Sequence, residues 1–189
     1  MNTKKSTQIA TIAIFFAVMV VINILSSIIL NLLPVPIKPT IVHIPVIIAS
    51  ILYGPRIGAS LGTLMGLMSI VHNTIIRLPT SYLFSPLVEN GSIYSVIIAV
   101  VPRILIGITP YYIYKLLNNR TGLVLAGAVG SMTNTIFVLG GIFVLFSSVF
   151  SGNIQAMLAT VFGTNAIAEM IISAILTVAI VPALQKVQK

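Results

Sequence analysis

The stretch QIATIAIFFAVMVVINILSSIILNLL, residues 8–33, contains no charged side chain. A helix needs about 20 apolar residues to cross the hydrocarbon core of a bilayer, where only helices or closed barrels satisfy the backbone. Because the apolar residues follow one another without strict alternation, the pattern indicates a helix. The run is too long for the h-region of a signal peptide, so we expect a retained first transmembrane helix.

The same character extends over the whole chain. Of its 189 residues, 58% are hydrophobic and 6% are charged, with a mean hydropathy of +1.14, which is too apolar for a soluble domain. Charges, prolines and glycines divide the chain into six hydrophobic segments: residues 8–33, 41–54, 57–75, 93–117, 122–148 and 161–184. The sequence therefore predicts an all-α, polytopic membrane protein, with one transmembrane domain over residues 1–189.

The cations indicate the orientation of this domain. Most of them fall on one side of a six-helix arrangement: Lys4, Lys5, Arg56, Lys115, Arg120, Lys186 and Lys189. Only Lys38 and Arg77 fall in loops on the other side, so the positive-inside rule predicts cytoplasmic termini. The net charge of +8 is scattered over short loops, which excludes a continuous surface for nucleic acid.

Two ionisable residues, Arg103 and Glu169, lie deep in the predicted fourth and sixth segments, at similar depths. A charge in the hydrocarbon region costs several kcal/mol unless it is paired or hydrated. We therefore predict a direct or water-bridged Arg103–Glu169 pair. Two interpretations remain open: the pair only fixes helix packing, or it lines a polar cavity that opens to the outside.

Amides and polar loop residues extend the candidate site. Asn134 and Asn165 add hydrogen-bonding groups to the fifth and sixth segments, and Glu169 follows Asn165 by one helical turn. For each asparagine, a hydrogen bond between helices is as good an explanation as contact with a ligand. We expect four further substrate-binding residues near the outer mouth: Tyr94, His72, Asn73 and Lys38. The long loop around Glu89 is expected to act as a lid, with a solvated carboxylate as the alternative.

Several chemistries are not supported by the sequence. It has no cysteine, no G-x-S-x-G, no H-E-x-x-H and no phosphate-binding P-loop. The two histidines, His43 and His72, lack the spacing of a metal site. We therefore expect neither an enzyme nor a metal site, and no cofactor in this chain.

Small residues recur at four-residue spacing in two segments. Gly58, Gly62 and Gly66 lie on one face of the third segment, and we expect this ridge to serve packing inside the bundle. Ala13 and Ala17 form a similar pair in the first segment, which fits internal packing or an external docking face equally well. Transporters that work by alternating access commonly contain two structural repeats, and no second repeat is visible in this sequence. We therefore expect the chain to be one subunit of a larger complex.

Four motifs carry a resemblance to a known family: AIFFA (13–17), IVHIPVIIASILYGPRIGASLG (41–62), FSPLVENGSIYSVIIAVVPRILIG (84–107) and AGAVGSMTNTIFVLGGI (126–142). Over essentially its whole length, the chain resembles the substrate-binding S components of energy-coupling factor (ECF) vitamin transporters. The resemblance implies a vitamin-binding subunit in a bacterial plasma membrane, which joins a transmembrane coupling protein and two ATPases that use ATP. It also implies that Ala13 and Ala17 contact the coupling protein. The vitamin pocket would face outward, between the fourth to sixth helices and under the first and third extracellular loops.

The chain is most similar to the pantothenate-specific branch of that family, in TIVHIPVIIA (40–49), SPLVENGSIYSVIIAVVPRILIG (85–107) and GSMTNT (130–135). The cations of the outer half suit a carboxylate ligand. A pyridoxine-like or hydroxymethylpyrimidine precursor and riboflavin remain alternatives, because a Glu169 that neutralises Arg103 would weaken the preference for anions. Outside transport, the alternatives are a structural membrane protein without a ligand and an intramembrane enzyme.

Overall fold

The computed structural model describes residues 3–32, 41–146 and 152–187, with side chains described over 5–28, 41–146 and 165–187. Within these residues the secondary structure consists of seven α-helices, one short 3-10 helix at Ser81–Leu83 and no strand. The α-helices are α1 (Thr3–Leu32), α2 (Ile44–Tyr53), α3 (Pro55–Ile75), α4 (Ile93–Ile106), α5 (Thr109–Leu117), α6 (Arg120–Leu145) and α7 (Gly152–Val187). The predicted all-α class is confirmed.

Four helical segments are long and apolar enough to cross a membrane, among the residues that the structure describes: Lys5–Ile28, Ile93–Leu117, Arg120–Leu145 and Asn165–Val187. The segment Ile93–Leu117 comprises α4 and α5. Of the remaining helices, α2 is apolar but has only 10 residues, and α3 carries several glycines and polar side chains. The chain is thus a multi-pass membrane protein.

The predicted fourth segment contains a break between α4 and α5. Helix α4 begins at a capping box, in which the Ser92 side chain accepts from the Tyr94 N–H and the Ser95 hydroxyl accepts from the Ser92 N–H. It ends at Gly107, whose N–H donates to the carbonyls of Arg103 and Ile104. Helix α5 then starts with Thr109 and Pro110, and proline is favoured in a first helical turn, where no N–H partner is needed.

Helix α2 lies at the centre of the larger hydrophobic core. Every residue from Ile44 to Ile51 is buried, and the helix packs against α3, α5, α6 and α7. A short helix that is apolar on all sides is stable only when other helices surround it. In contrast, α1 contacts this core through one face and leaves the other exposed, including Ala13 and Ala17.

The glycines of α3 bring its backbone against that of α4. A Cβ at Gly58 would overlap the Gly107 carbonyl oxygen, and one at Gly62 would overlap the Arg103 carbonyl oxygen. A Cβ at Gly66 would come within 2.8 Å of the Ala99 oxygen. The prediction that this ridge serves internal packing is therefore confirmed, and the contact fixes the part of α4 that carries Arg103.

Candidate functional site

A cavity of about 280 Å³ lies between α3, α4, α6 and α7, beneath the loop that joins α3 to α4. Its walls combine polar and apolar side chains: Ser69, Asn73, Leu78, Thr80, Phe84, Arg103, Asn134, Thr135, Val138, Asn165 and Glu169. Pockets for small molecules typically measure about 300–1,000 Å³ and place a few polar groups in an apolar frame. This cavity matches that pattern at the small end of the range.

Arg103 extends from α4 into the cavity and is only 9% exposed. Its Nη1 donates a hydrogen bond of 2.7 Å to the carbonyl oxygen of Ile98, one turn earlier in the same helix. The guanidinium carbon also lies 5.4 Å from the centre of the Phe84 ring, which is a cation–π geometry. The Nε atom is buried and has no hydrogen-bond partner.

Glu169 extends from α7 into the same cavity and is 5% exposed. The structure brings it close enough to Arg103 for the carboxylate to attract the guanidinium electrostatically. Both charges therefore line one polar cavity inside an apolar bundle. An anionic ligand here would share the guanidinium with Glu169.

Asn134 of α6 and Asn165 of α7 also line the cavity. The Oδ1 atom of each side chain is buried and has no hydrogen-bond partner. A buried acceptor without a partner costs about 1–3 kcal/mol, so native proteins rarely retain one without a role. The two amide oxygens are therefore candidate acceptors for a ligand with hydroxyl or N–H groups.

The other expected site residues are distributed differently. Asn73 lines the cavity, although its Nδ2 donates to the Ser69 carbonyl at 2.9 Å. His72 is half-buried in the last turn of α3, and Tyr94 is exposed and contacts the Phe146 ring, with centroids 6.3 Å apart. Neither is among the residues that line the cavity. Lys38 lies outside the described residues.

Sequence reasoning missed several residues that line the cavity: Ser69, Leu78, Thr80, Phe84, Thr135 and Val138. Thr135 follows Asn134 directly in α6, but consecutive helical residues point about 100° apart, so its position beside a candidate amide did not predict that it lines the cavity. Ser69 precedes Asn73 by one helical turn, which places both on one side of α3. Phe84 and Thr80 belong to a loop, where no periodicity indicates the direction of a side chain.

The loop of residues 76–92 is an ordered cover over the cavity. The Ser81 hydroxyl accepts from the Leu78 N–H at 2.9 Å and donates to the Ile76 carbonyl at 3.0 Å. The Thr74 and Ser85 hydroxyls, 2.7 Å apart, tie the loop to α3. Leu83 is fully buried in a second hydrophobic core with residues of α4 and α6. The expected lid is therefore held by its own hydrogen bonds and by this core, while Glu89 is exposed.

Two comparisons with known proteins cover nearly the whole chain. The family described as ECF transporter, substrate-specific component, matches residues 7–181. The pantothenic acid transporter PanT of Lactococcus lactis subsp. cremoris (strain MG1363) is 46% identical over 191 residues, which cover 98% of this chain and 97% of that protein. The chain belongs to the family of substrate-specific components of ECF transporters.

Proposed function

We propose that this chain is the pantothenate-binding subunit of an ECF importer, in which partner ATPases hydrolyse the ATP. Membership of the family supports a transport subunit rather than an enzyme. The similar protein from L. lactis is named a pantothenic acid transporter, which supports the choice of vitamin. The observation that carries the proposal is a cavity in which one buried guanidinium lies with two unpartnered amide oxygens.

The functional groups of pantothenate complement this set. The vitamin carries one carboxylate, one amide N–H and two hydroxyls. In the proposed complex, the carboxylate accepts from the free Nε of Arg103, in a charge-assisted hydrogen bond. The hydroxyl and amide hydrogens are donated to Oδ1 of Asn134, Oδ1 of Asn165 and the carboxylate of Glu169.

The size of the cavity also favours a small ligand. A volume of about 280 Å³ suits a flexible, acyclic vitamin better than the three fused rings of riboflavin. Pyridoxine and hydroxymethylpyrimidine are small enough, but they lack the carboxylate that would use Arg103. The charge of the ligand therefore separates pantothenate from the remaining alternatives.

Binding of radiolabelled pantothenate to the purified protein in detergent tests the proposal. We expect saturable binding that unlabelled pantothenate displaces and that excess pyridoxine, hydroxymethylpyrimidine or riboflavin does not displace. Arg103→Ala should weaken pantothenate binding by about tenfold or more, because it removes a charged hydrogen bond. Unchanged affinity in Arg103→Ala, or displacement by one of the other vitamins, would contradict the proposal.

The proposed membrane arrangement is one domain over residues 1–189 with six crossing segments: α1, α2, α3, α4 with α5, α6 and α7. Both termini lie in the cytoplasm, and loop 76–92 with the cavity faces outward. The exposed cations Arg56, Lys115 and Arg120 lie at the two turns that this arrangement places in the cytoplasm, as the positive-inside rule requires. The 10 residues of α2 are too few to span the hydrocarbon core as a helix exposed to lipid. However, α2 is surrounded by other helices, and non-helical backbone is tolerated at membrane depth where protein surrounds it.

The proposed partners are a transmembrane coupling protein and two ATPase subunits. Docking is assigned to the exposed face of α1, where Ala13 and Ala17 lie one turn apart. Small residues at this spacing let a partner helix approach closely. No cofactor is assigned to this chain, and ATP is assigned to the partner subunits.

A further inference from the structure

Helix α4 contains a proline, Pro102, directly before the buried Arg103. In an α-helix, each carbonyl accepts a hydrogen bond from the N–H four residues later. For the carbonyl of Ile98, that position is Pro102, which has no N–H. The proline therefore removes the ordinary partner of the Ile98 carbonyl, inside a span where water cannot readily replace it.

The side chain of Arg103 supplies the missing donor. Its Nη1 lies 2.7 Å from the Ile98 oxygen, and the charge on the guanidinium strengthens this hydrogen bond. The sequence distance is only five residues, so the bond closes within one helix and does not depend on a partner helix. Pro102 thus leaves the Ile98 carbonyl without its usual backbone donor, and the side chain of Arg103 donates to that carbonyl instead.

This bond restricts where the guanidinium points. The group is planar, so holding Nη1 on the Ile98 carbonyl leaves only rotation about that contact, and the Phe84 ring lies 5.4 Å from its carbon. The backbone is fixed as well, because Gly62 of α3 packs directly on the Arg103 carbonyl. Among the buried nitrogen atoms of this guanidinium, Nε has no hydrogen-bond partner.

We propose that Pro102 is a positioning residue for ligand binding, because it reserves the Ile98 carbonyl for Nη1 of Arg103 and thereby holds the guanidinium ready for a carboxylate. This proposal rests on the proposed pantothenate function for its ligand. Pro102 itself does not line the cavity, so it acts only through Arg103.

Pro102→Ala distinguishes a positioning role from a structural role. A structural role predicts a lower melting temperature of the ligand-free protein, whereas a positioning role predicts a lower affinity for pantothenate without a loss of stability. Alanine restores an N–H that competes for the Ile98 carbonyl and removes the ring that strains the helix. We expect the melting temperature of the ligand-free protein to stay the same or rise, while pantothenate affinity falls by about tenfold. The matched control is Pro182→Ala, the same change inside α7, which should leave the affinity unchanged.

A ligand without the carboxylate provides a second readout. Panthenol carries an alcohol in its place, so Pro102→Ala should not change panthenol affinity. In an Arg103→Ala background, Pro102→Ala should cause no further loss of pantothenate affinity. The proposal is overturned if Pro102→Ala leaves pantothenate binding unchanged, weakens both ligands equally, or adds to the loss in Arg103→Ala.

A ligand-free measurement distinguishes failure of this proposal from failure of the proposed function. The chain has four arginines, so NMR spectra with ¹⁵N-labelled arginine are simple, and Arg103→Lys identifies the Arg103 signals. Slow rotation and slow exchange at Nη1 should be seen in the unsubstituted protein and be lost in Pro102→Ala. If this loss occurs but pantothenate does not bind, the choice of vitamin is wrong and the positioning role stands. Unchanged Nη1 signals in Pro102→Ala would overturn the positioning role, whatever the ligand.

Discussion

Buried polar side chains in this bundle fall into satisfied and unsatisfied groups. The Ser81 hydroxyl donates to the Ile76 carbonyl at 3.0 Å, and the Thr133 hydroxyl donates to the Val129 carbonyl at 2.7 Å. Hydrogen bonds of this kind satisfy the hydroxyls within the protein, so these groups need no ligand. Asn134 and Asn165 instead carry unpartnered oxygens that line a cavity, which is the arrangement that a ligand completes.

Unpartnered oxygens alone do not identify a site. The hydroxyls of Ser50, Ser131 and Thr177 are also buried without a partner, but these residues do not line the cavity. What distinguishes the two asparagines is that they share the cavity with the only described acidic side chain buried in a helix, Glu169, and with Arg103. The combination of open acceptors and a free cationic donor points to a ligand that has both hydrogen-bond donors and a negative charge.

Asn165→Leu should weaken pantothenate binding without destabilising the ligand-free protein. Leucine removes an acceptor that has no partner before the ligand arrives, so its loss should not lower the melting temperature. The affinity should fall by about five- to thirtyfold, the effect of one neutral to moderately strong hydrogen bond. Equilibrium binding and thermal unfolding in the same detergent measure the two quantities.

Thr109→Val is the control for this substitution. The Thr109 hydroxyl donates to the Leu105 carbonyl at 3.0 Å and lies 3.3 Å from the Thr133 hydroxyl, so it is satisfied, and Thr109 does not line the cavity. Its loss should lower stability slightly and leave affinity unchanged. If Asn165→Leu lowers the melting temperature and keeps full affinity, the amide joins helices and does not bind the vitamin.

At the scale of the helices, α1 and α2 are both apolar but differ in burial: α2 is buried on all sides, and α1 is buried on one face only. Helix α2 is buried on all sides and anchors the packing of the bundle. Helix α1 uses one face, with Met19 fully buried and Phe15 and Phe16 packed beside it, to contact this core. The other face, which includes Ala13 and Ala17, contacts no part of the described bundle closely enough to be buried. This leaves a smooth surface of small and aliphatic residues for lipid or for a partner helix.

Tryptophan at Ala13 or Ala17 should prevent assembly while sparing the vitamin site. A large ring on a small-residue face blocks close approach of a second helix, because the backbones can no longer come together. We expect each variant to bind pantothenate normally, to lose copurification with the coupling protein and to lose uptake in cells. Val124→Trp, which places the same ring at an exposed position of α6, should retain pantothenate binding, copurification with the coupling protein and uptake. Loss of vitamin binding in Ala17→Trp would show that the alanine face packs inside the protein.

For the whole molecule, the lack of cysteine makes the proposed topology directly measurable. Single cysteines at exposed positions are then the only reactive thiols. Leu87→Cys places one in loop 76–92, and Thr121→Cys places one at the start of α6. A membrane-impermeant maleimide should label Leu87→Cys in intact cells and Thr121→Cys only after permeabilisation. Thr7→Cys, at the start of α1, should behave like Thr121→Cys, and the reverse labelling pattern would invert the proposed orientation.

The whole-molecule arrangement also explains how a small bundle can hold a polar site. Helices α3 and α4 approach closely through glycines, and α6 and α7 do so at Gly127, where a Cβ would come within 2.7 Å of the Ser173 oxygen. These two close contacts bring together the pairs of helices that form the walls of the cavity. Loop 76–92 closes the end, anchored by Leu83 and by its own serine hydroxyls. The binding groups are thereby arranged before a ligand enters, which lowers the cost of ordering them.

The sequence by itself determined the features that depend on composition and on spacing within one helix. Apolar runs specify membrane helices, because the bilayer imposes length and backbone satisfaction on each segment separately. Arg103 and Glu169 were identifiable because a charge inside an apolar membrane segment is costly. The glycine ridge was identifiable from its four-residue spacing. The proline that frees the Ile98 carbonyl is likewise a local, four-residue relation.

Only the tertiary structure decided which polar residues share a cavity. Asn73 lines it and His72 does not, because consecutive helical residues point about 100° apart and the rotation of α3 is set by its packing against α4. Phe84 reaches Arg103 from a loop through contacts between elements that are distant in sequence. Such contacts depend on how the helices and the loop pack together, and no periodicity in the chain encodes that packing directly.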